Sequence, residues 1–320
     1  MITLPSNKYL GTLTNLIAYA EVANTSERGK VGDFVDSFQS IAVENGDGKV
    51  INSADYLDVE DLSGTSSLLS TKKPTTNEQY ISVENYKVIP LTLNKYLMRG
   101  AFVNESQLAD FVGFVMGLMQ ATKTAFLSEE IIKKIEGYTP TQSTQTVTIH
   151  TINTSSLTDP AQLNQANIFN AKAVQEAMLN VIDAIGFPTN KYNDLAYKET
   201  IDMNSMKLII KVSEQNKILV NSLAELLNSD KITDADKWGS TYKVPDEQFT
   251  SKTNEFTAWL MHKNKVQYGY FYQVATSFFD GSTLNENDWL HFAYYLAIVN
   301  ALPCVCFKIV ADITPTALVA

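Results

Sequence analysis

One stretch, Val88 to Gly137, constrains the fold more than any other, because a strand-like run, a turn and a very long helical pattern follow each other without interruption. Ile89 to Leu97 (IPLTLNKYL) alternates and is rich in β-forming residues. Asn104 then stands at an N-cap position with Gln107 three residues on. Apolar residues recur at Leu108, Phe111, Val112, Val115, Met119, Phe126, Ile132 and Ile135, and Gly137 supplies the stop. These signals predict a helix over 105–136, and about 32 residues at 1.5 Å each rise roughly 48 Å. Packing inside a compact domain of this size needs less, so the helix reads as a strut.

With 320 residues and 45% hydrophobic content, the chain can bury a sizeable core or two modest ones. No run approaches the uninterrupted apolar length of a membrane span. The N-terminus, MITLPSNKYLGTLTN, lacks the basic and apolar regions of a secretory signal, which predicts a soluble cytoplasmic protein with no membrane partner. The formal net charge is −10, and Arg28 and Arg99 are the only arginines. Arginine is the preferred fork for phosphate and base edges, so its near absence argues against sequence-specific nucleic-acid recognition. It does not prevent the chain from lying beside nucleic acid.

Groups that carry chemistry are sparse. His150, His262 and His291 are the only histidines; none belongs to an HExxH, and the chain has no GxSxG, Walker loop or GxGxxG. Each is expected to be structural or solvated, and carboxylate pairs such as Glu129 with Glu130 or Asp58 with Glu60 read as solvated charge. Cys304 and Cys306 lie two apart in an apolar strand-like run (LPCVCFKIV), so their side chains share a face. Two thiols without a His or acidic neighbour supply half a zinc site at best, and buried free thiols are expected. The run VENGDGKVINSAD, Val43 to Asp55, approaches a calcium loop. Aligning Asn45, Asp47 and Gly48 with positions three, five and six puts Val43 where the first carboxylate belongs and Asp55 one place too far. A hairpin turn on Asn45-Gly46 and Asp47-Gly48 is the better reading. No catalytic, cofactor-binding or metal-ligating residue is assigned, no cofactor is expected, and a non-enzymatic role follows.

Along the chain, residues 1–40 carry a short helical pattern around Asn15 to Glu21 and an amphipathic piece through Phe38, without a large apolar face. They read as an arm that docks elsewhere, such as on a neighbouring subunit. Residues 41–98 form a strand-rich excursion with limbs at Ser40 to Val43, Lys49 to Ile51 and Gln79 to Leu97, and a polar tip from Asp61 to Asn77. Such a segment has long edges and few core residues, so something must cover it. Thr139 to Pro160 is polar with one alternating strand (QTVTIHTI). A helix is predicted from Ala166 through Ile185, stopped by Gly186 and Pro188. A buried strand, Met206 to Val212, leads into a helix over Asn216 to Leu227, then a polar loop from Lys231 to Ser251 with Trp238. Aromatic strands at Phe256 to Met261, Val266 to Phe279 and Trp289 to Asn300 precede a final strand, Cys304 to Ala311, and suit one central antiparallel sheet.

This order resembles the major capsid protein of tailed bacteriophages, an α+β protein of the Hong Kong 97 capsid fold. Four stretches carry the resemblance: VIPLTLNKYLMRGAFVNESQLADF, the strut to Gly137, MKLIIKVSEQNKILVNSLAELLN, and WLHFAYYLAIVNALPCVCFKIV. The last is most similar to capsid proteins of small short-tailed phages. By that resemblance residues 1–40 are the N-terminal arm and residues 41–98 the extended E-loop over a neighbouring subunit. Residues 99–165 are the peripheral domain, with a spine helix at about 105–136, and residues 166–320 mostly the axial domain. By the resemblance, the family assembles a precursor shell in which the spine helix is bent and which expands as DNA is packaged, and this makes Gly113 and Gly117 candidate flex points. The resemblance implies a structural protein that self-assembles into pentamers and hexamers of an icosahedral virion head, formed in the bacterial cytoplasm. Its partners are further copies of itself, a separate scaffolding protein, a portal, and packaged double-stranded DNA without sequence-specific contacts. An encapsulin-like nanocompartment shell is the nearest alternative, and a calcium- or carbohydrate-binding surface protein the alternative from another class.

Overall fold

The computed structural model describes residues 29–40, 48–57, 59, 73–82, 85–94, 105–214, 216–217, 240–249 and 255–315. Contacts divide the chain into two compact units, each assembled from discontinuous segments. The first takes its described residues from Met1–Val50, Tyr80–Ile131 and Val266–Ala297, and the second from Ile51–Gln79, Ile132–Lys265 and Ile298–Ala320. The helix at Asn15 to Glu21, the turn at Asn45 to Asp47, most of the helix at Asn216 to Leu227, and Trp238, Asp58 and Glu60 lie outside the described residues.

The first unit is built on a three-stranded sheet of order β3-β9-β8, with β3 at Asn85–Asn94, β8 at Val266–Asp280 and β9 at Asn285–Ile298. β3 pairs antiparallel with β9, Val88 opposite His291 and Pro90 opposite Trp289. Pro90 cannot donate to a ladder, and its place on an edge strand is where a proline is tolerated. The predicted strut is a helix over Glu105–Glu136. Two of its buried residues, Leu127 and Ile131, were absent from the expected apolar pattern. They belong to one row of four-residue steps, Val115, Met119, Lys123, Leu127 and Ile131, that Lys123 interrupts in the sequence. Lys123 is itself buried: its ammonium donates to Gln273 Oε1 at 2.7 Å and lies 4.0 Å from the Tyr270 ring centroid. Phe126 completes the contact, with its ring 6.1 Å from those of Phe292 and Tyr294 on β9.

A short helix, Gly29–Asp36, docks on this unit's own strands, which corrects part of the expectation that the arm has its partner elsewhere. Phe34, Val35 and Phe38 are buried, Phe34 and Phe38 meet edge to face at 5.1 Å, and Gln39 bridges Tyr268 of β8. The three side chains recur three and four residues apart, so a face too short to read as amphipathic still closes over the sheet end.

The second unit holds a mixed five-stranded sheet of order β4-β10-β7-β5-β6. Its strands are β4 at Thr146–Ile152, β5 at Met206–Lys211, β6 at Ser240–Val244, β7 at Ala258–His262 and β10 at Cys304–Ile313. β10 runs parallel to β4 and antiparallel to β7, and β5 antiparallel to β7 and parallel to β6. A helix over Pro160–Ile185 covers one face, packing Val174, Met178, Val181, Ile182 and Ile185 against Ile149, Leu208, Leu260, Val305 and Phe307. It starts six residues before the predicted Ala166, because Asp159 caps it by accepting from Ala161 N and Pro160 occupies the first turn. On the opposite face Trp259 stacks on Phe249 at 5.2 Å. Cys304 and Cys306 share that face as predicted, and both are buried free thiols.

Three further expectations change. The limb Gln79 to Leu97 is two strands: β2, Thr76–Ile81, pairs with β1, Lys49–Ala54, while β3 joins β9. The polar run Lys231 to Ser251 contains β6, an edge strand whose outward residues are exposed and therefore polar. The aromatic strands are shared between two sheets, β7 in one and β8 with β9 in the other, so they do not form one central sheet. Ile210 is wholly buried in the second core. The Ile210→Ala variant is expected to lose about 2–5 kcal/mol by cavity formation, read by urea denaturation.

Candidate assembly surfaces

Because side chains alternate along a strand, α-helix Glu105–Glu136 can fill only one face of the β3-β9-β8 sheet. Among the described residues the other face leaves a cluster of large apolar side chains exposed, beside the polar Thr92, Asn287, Thr276 and His291. Tyr86 and Val88 on β3, and Tyr272, Val274 and Phe278 on β8, are all exposed, Tyr86 and Phe278 each at 60%. Tyr86 and Tyr272 approach across it with ring centroids 6.4 Å apart. His291 sits between these flanks, its Nε2 3.0 Å from Thr276 Oγ1. Solvent-facing strands normally carry polar residues at these positions, so five large apolar side chains here form a candidate contact surface.

The β1–β2 ribbon offers a second surface: Tyr56, Leu57 and Val59 are exposed at 55%, 66% and 99%. Gly48 leads into the ribbon, where the Tyr80 ring lies over it: a Cβ there would stand 2.1 Å from that ring and displace it.

Within the second unit the segments that bear on the ribbon are tied to a buried ion pair. Lys265 Nζ donates to Asp194 Oδ2 and to Leu302 O, each at 2.8 Å, with the side chains 1% and 8% exposed. The ammonium also lies 5.0 Å from the Tyr138 ring centroid. Tyr138 donates its hydroxyl to Asp194 Oδ1 at 2.5 Å, and Gln145 Nε2 donates to the same oxygen at 2.8 Å. Burial, followed by the charge of Cys304 and the bond to Asp194, pushes the Tyr138 hydroxyl well above its usual range. Next to Asp194, Asn193 folds a loop closed by reciprocal Thr189–Glu199 backbone bonds at 3.0 Å. Its Nδ2 donates to Tyr197 O and Glu199 Oε1, and its Oδ1 accepts from Tyr197 N. Burial pushes Glu199 from 4.5 up to about 7, against the Asn193 hydrogen bond and the Lys265 charge. None of this network was legible in sequence: Lys265 belongs to the run MHKNKV, which reads as a polar turn.

The histidines fall on separate elements. His150 on β4 meets Asp312 at 2.7 Å with both side chains exposed. His262 at the end of β7 accepts from Asn264 N, and burial, then Lys263 and Lys207, lowers it to about 4. Glu129 is exposed on its helix; its neighbour Glu130 adds to burial in raising the Tyr294 hydroxyl to about 12. The Cys306 thiol is raised by its hydrogen bond with Cys304 and by burial. Among the described residues no three His, Cys, Asp or Glu gather in a metal-holding group, and no helix is long and apolar enough to cross a membrane.

This architecture is that of phage shell proteins. A capsid chain of Staphylococcus phage Andhra superposes with a TM-score of 0.60 at 11% identity, covering 84% of this chain and 83% of that one. A chain from the structure of head fiber and inner core protein gp22 of native bacteriophage P68 superposes at 0.57 with 13% identity, covering 83% of each. The capsid of cyanophage P-SCSP1u gives 0.55 at 8% identity, covering 87% and 88%. The fold is the α+β Hong Kong 97-type capsid fold. The model of the Phi29-like phage major capsid protein family matches residues 31–308, and the chain belongs to that family. No curated protein sequence matches it. The protein is thus a structural capsid protein of phage heads, and neither alternative, a nanocompartment shell or a calcium- or carbohydrate-binding protein, is favoured.

Two outcomes follow from the buried network. Replacing Lys265 by Met strands the Asp194 carboxylate and is expected to cost about 3–5 kcal/mol in urea denaturation. Glu199, with a folded value of about 7 against 4.5, holds its proton longer than the unfolded chain does, so its contribution to stability falls as pH rises through that window. His262, lowered to about 4 from 6.5, acts in the opposite direction over an overlapping window. Comparing Glu199→Gln with the parent at about pH 5 and about pH 7.5 cancels the His262 contribution, and the variant should lose less stability on going to the higher pH.

Proposed function

We propose that this chain builds a closed icosahedral head from pentamers and hexamers, enclosing double-stranded DNA. The observation that carries this reading is the cluster of exposed apolar side chains on one face of the β3-β9-β8 sheet, Tyr86, Val88, Tyr272, Val274 and Phe278, which no described residue covers. In a symmetric shell each copy meets others through the same patches, so many individually weak contacts add up. The ribbon within residues 41–98 is the E-loop in this reading, and residues 1–40 are the N-terminal arm. Helix Glu105–Glu136 is the spine of a peripheral domain over residues 99–165, and residues 166–320 are mostly axial, although β8 and β9 pair into one sheet with β3 of the 41–98 segment.

A net charge of −10 with two arginines suits a wall that holds DNA without gripping it, so no enzymatic or sequence-reading role is assigned. A separate scaffolding protein and a portal are the further partners, with assembly in the host cytoplasm. Gly117 is a flex point of the spine in this reading: a Cβ there would meet nothing within 4 Å among the described residues, so no described packing explains the glycine.

Negative-stain imaging and sedimentation of the expressed chain, across concentration and crowding agent, test the proposal. Uniform shells are expected from the parent, and Val88→Asp with Phe278→Asp should arrest assembly while leaving thermal stability within about 1 kcal/mol. Shells formed equally well by that variant would rule out the sheet face as the contact.

A further inference from the structure

The base of the β1–β2 ribbon is held at two points. Asp55 Oδ1 accepts from Lys198 N at 2.7 Å and from Tyr56 N at 2.8 Å, while Asp55 N donates to Thr75 O at 2.9 Å across the ribbon. Gln79, on the other strand, uses both ends of its amide: Nε2 donates to Ile298 O at 2.7 Å and Oε1 accepts from Asn300 N at 3.0 Å. One side chain thereby reproduces the paired donor and acceptor of a β-bridge. We propose that Asp55 and Gln79 form a latch that seats the ribbon on the 189–199 loop and the 298–300 segment, and so sets the direction in which Tyr56, Leu57 and Val59 extend from its base.

Both seats are rigid because both lead to the buried ion pair. Asn300 O accepts from Asp194 N at 3.1 Å, and Asp194 is the partner of Lys265. Lys198 is held from the other side of the same loop, where Asn193 binds Tyr197 and Glu199 and Ala196 adopts a left-handed φ of 57°. The latch side chains are only half-buried, unlike the network behind them. Such bonds open without unfolding a core, which suits a device that releases one segment and leaves the rest in place. What it aims is apolar: Tyr56, Leu57 and Val59 follow Asp55 directly. That these reach a neighbouring copy rests on the proposed function; the latch itself does not.

Distance measurement between spin labels tests it on the unassembled 320-residue chain, so failure to form shells leaves the result readable. Labels go on Val59→Cys and Thr148→Cys, both exposed, and the native thiols are buried from the reagent. The parent should give one narrow distance distribution. Asp55→Ala with Gln79→Ala should broaden it roughly twofold and speed amide exchange at Lys198 and Asn300 on the order of tenfold, with Leu208 and Leu260 in the sheet unchanged. An unchanged width with unchanged exchange at Lys198 and Asn300 overturns the latch. If the double variant also loosens the sheet amides, Gln79→Glu alone decides: it removes the donor to Ile298 O, so it too should broaden the distribution, and an unbroadened one overturns the proposal.

Discussion

A single helix laid on a three-stranded sheet can bury one side of it, and the opposite side must be either polar or covered by something else. In this capsid protein it carries a cluster of exposed apolar side chains that no described residue covers, although Tyr295 at one end is buried and Thr92, Asn287, Thr276 and His291 share the face. The side facing helix Glu105–Glu136 is closed by Phe126, Phe292, Tyr294 and the buried ammonium of Lys123. The far side presents Tyr86, Val88, Tyr272, Val274 and Phe278 to solvent. At about 25 cal/mol per Å² of apolar area, a patch of this kind is a liability in isolation and a driving force once copies assemble. The edges of β1, β2 and β6 have the same double character.

The second unit is organised around a buried ion pair. A buried ion pair is a poor source of net stability, since the desolvation of Lys265 and Asp194 offsets much of their attraction. It is a strong source of positional definition. Tyr138, Gln145 and Leu302 are each placed by bonds to this pair, Asn193 precedes Asp194 in the chain, and four chain segments converge there. The latch residues Asp55 and Gln79 bond to the outside of this framework. Rigid centre and releasable rim are arranged in series, the order expected of a subunit whose contacts change while its core does not.

Local signals made the long helix legible in sequence: a cap, a periodic face and a glycine stop gave Glu105–Glu136 with its bounds. The strands were legible as strands, because β5, β7 and β10 read as buried apolar runs in either environment. Their partners were not, since alternation says which face is apolar and not which strand lies alongside. The aromatic runs therefore looked like one sheet, whereas β8 returns to β9 and β3, and β7 pairs with β10 and β5. The buried polar residues were least legible. Lys123 looked like a break in a stripe and Lys265 like part of a solvated turn, because nothing local marks a lysine that finds its partner far away in sequence. Asp159 and Pro160, by contrast, were a readable helix start that the apolar pattern alone placed too late.

The central claim is that the open side of the β3-β9-β8 sheet is completed by another copy of the chain. Electron cryomicroscopy of the assembled particle tests it most directly. The account predicts Tyr86, Val88 and Phe278 buried against a neighbouring subunit in every symmetry-distinct position. The same three side chains facing solvent on both surfaces of the shell wall would contradict it.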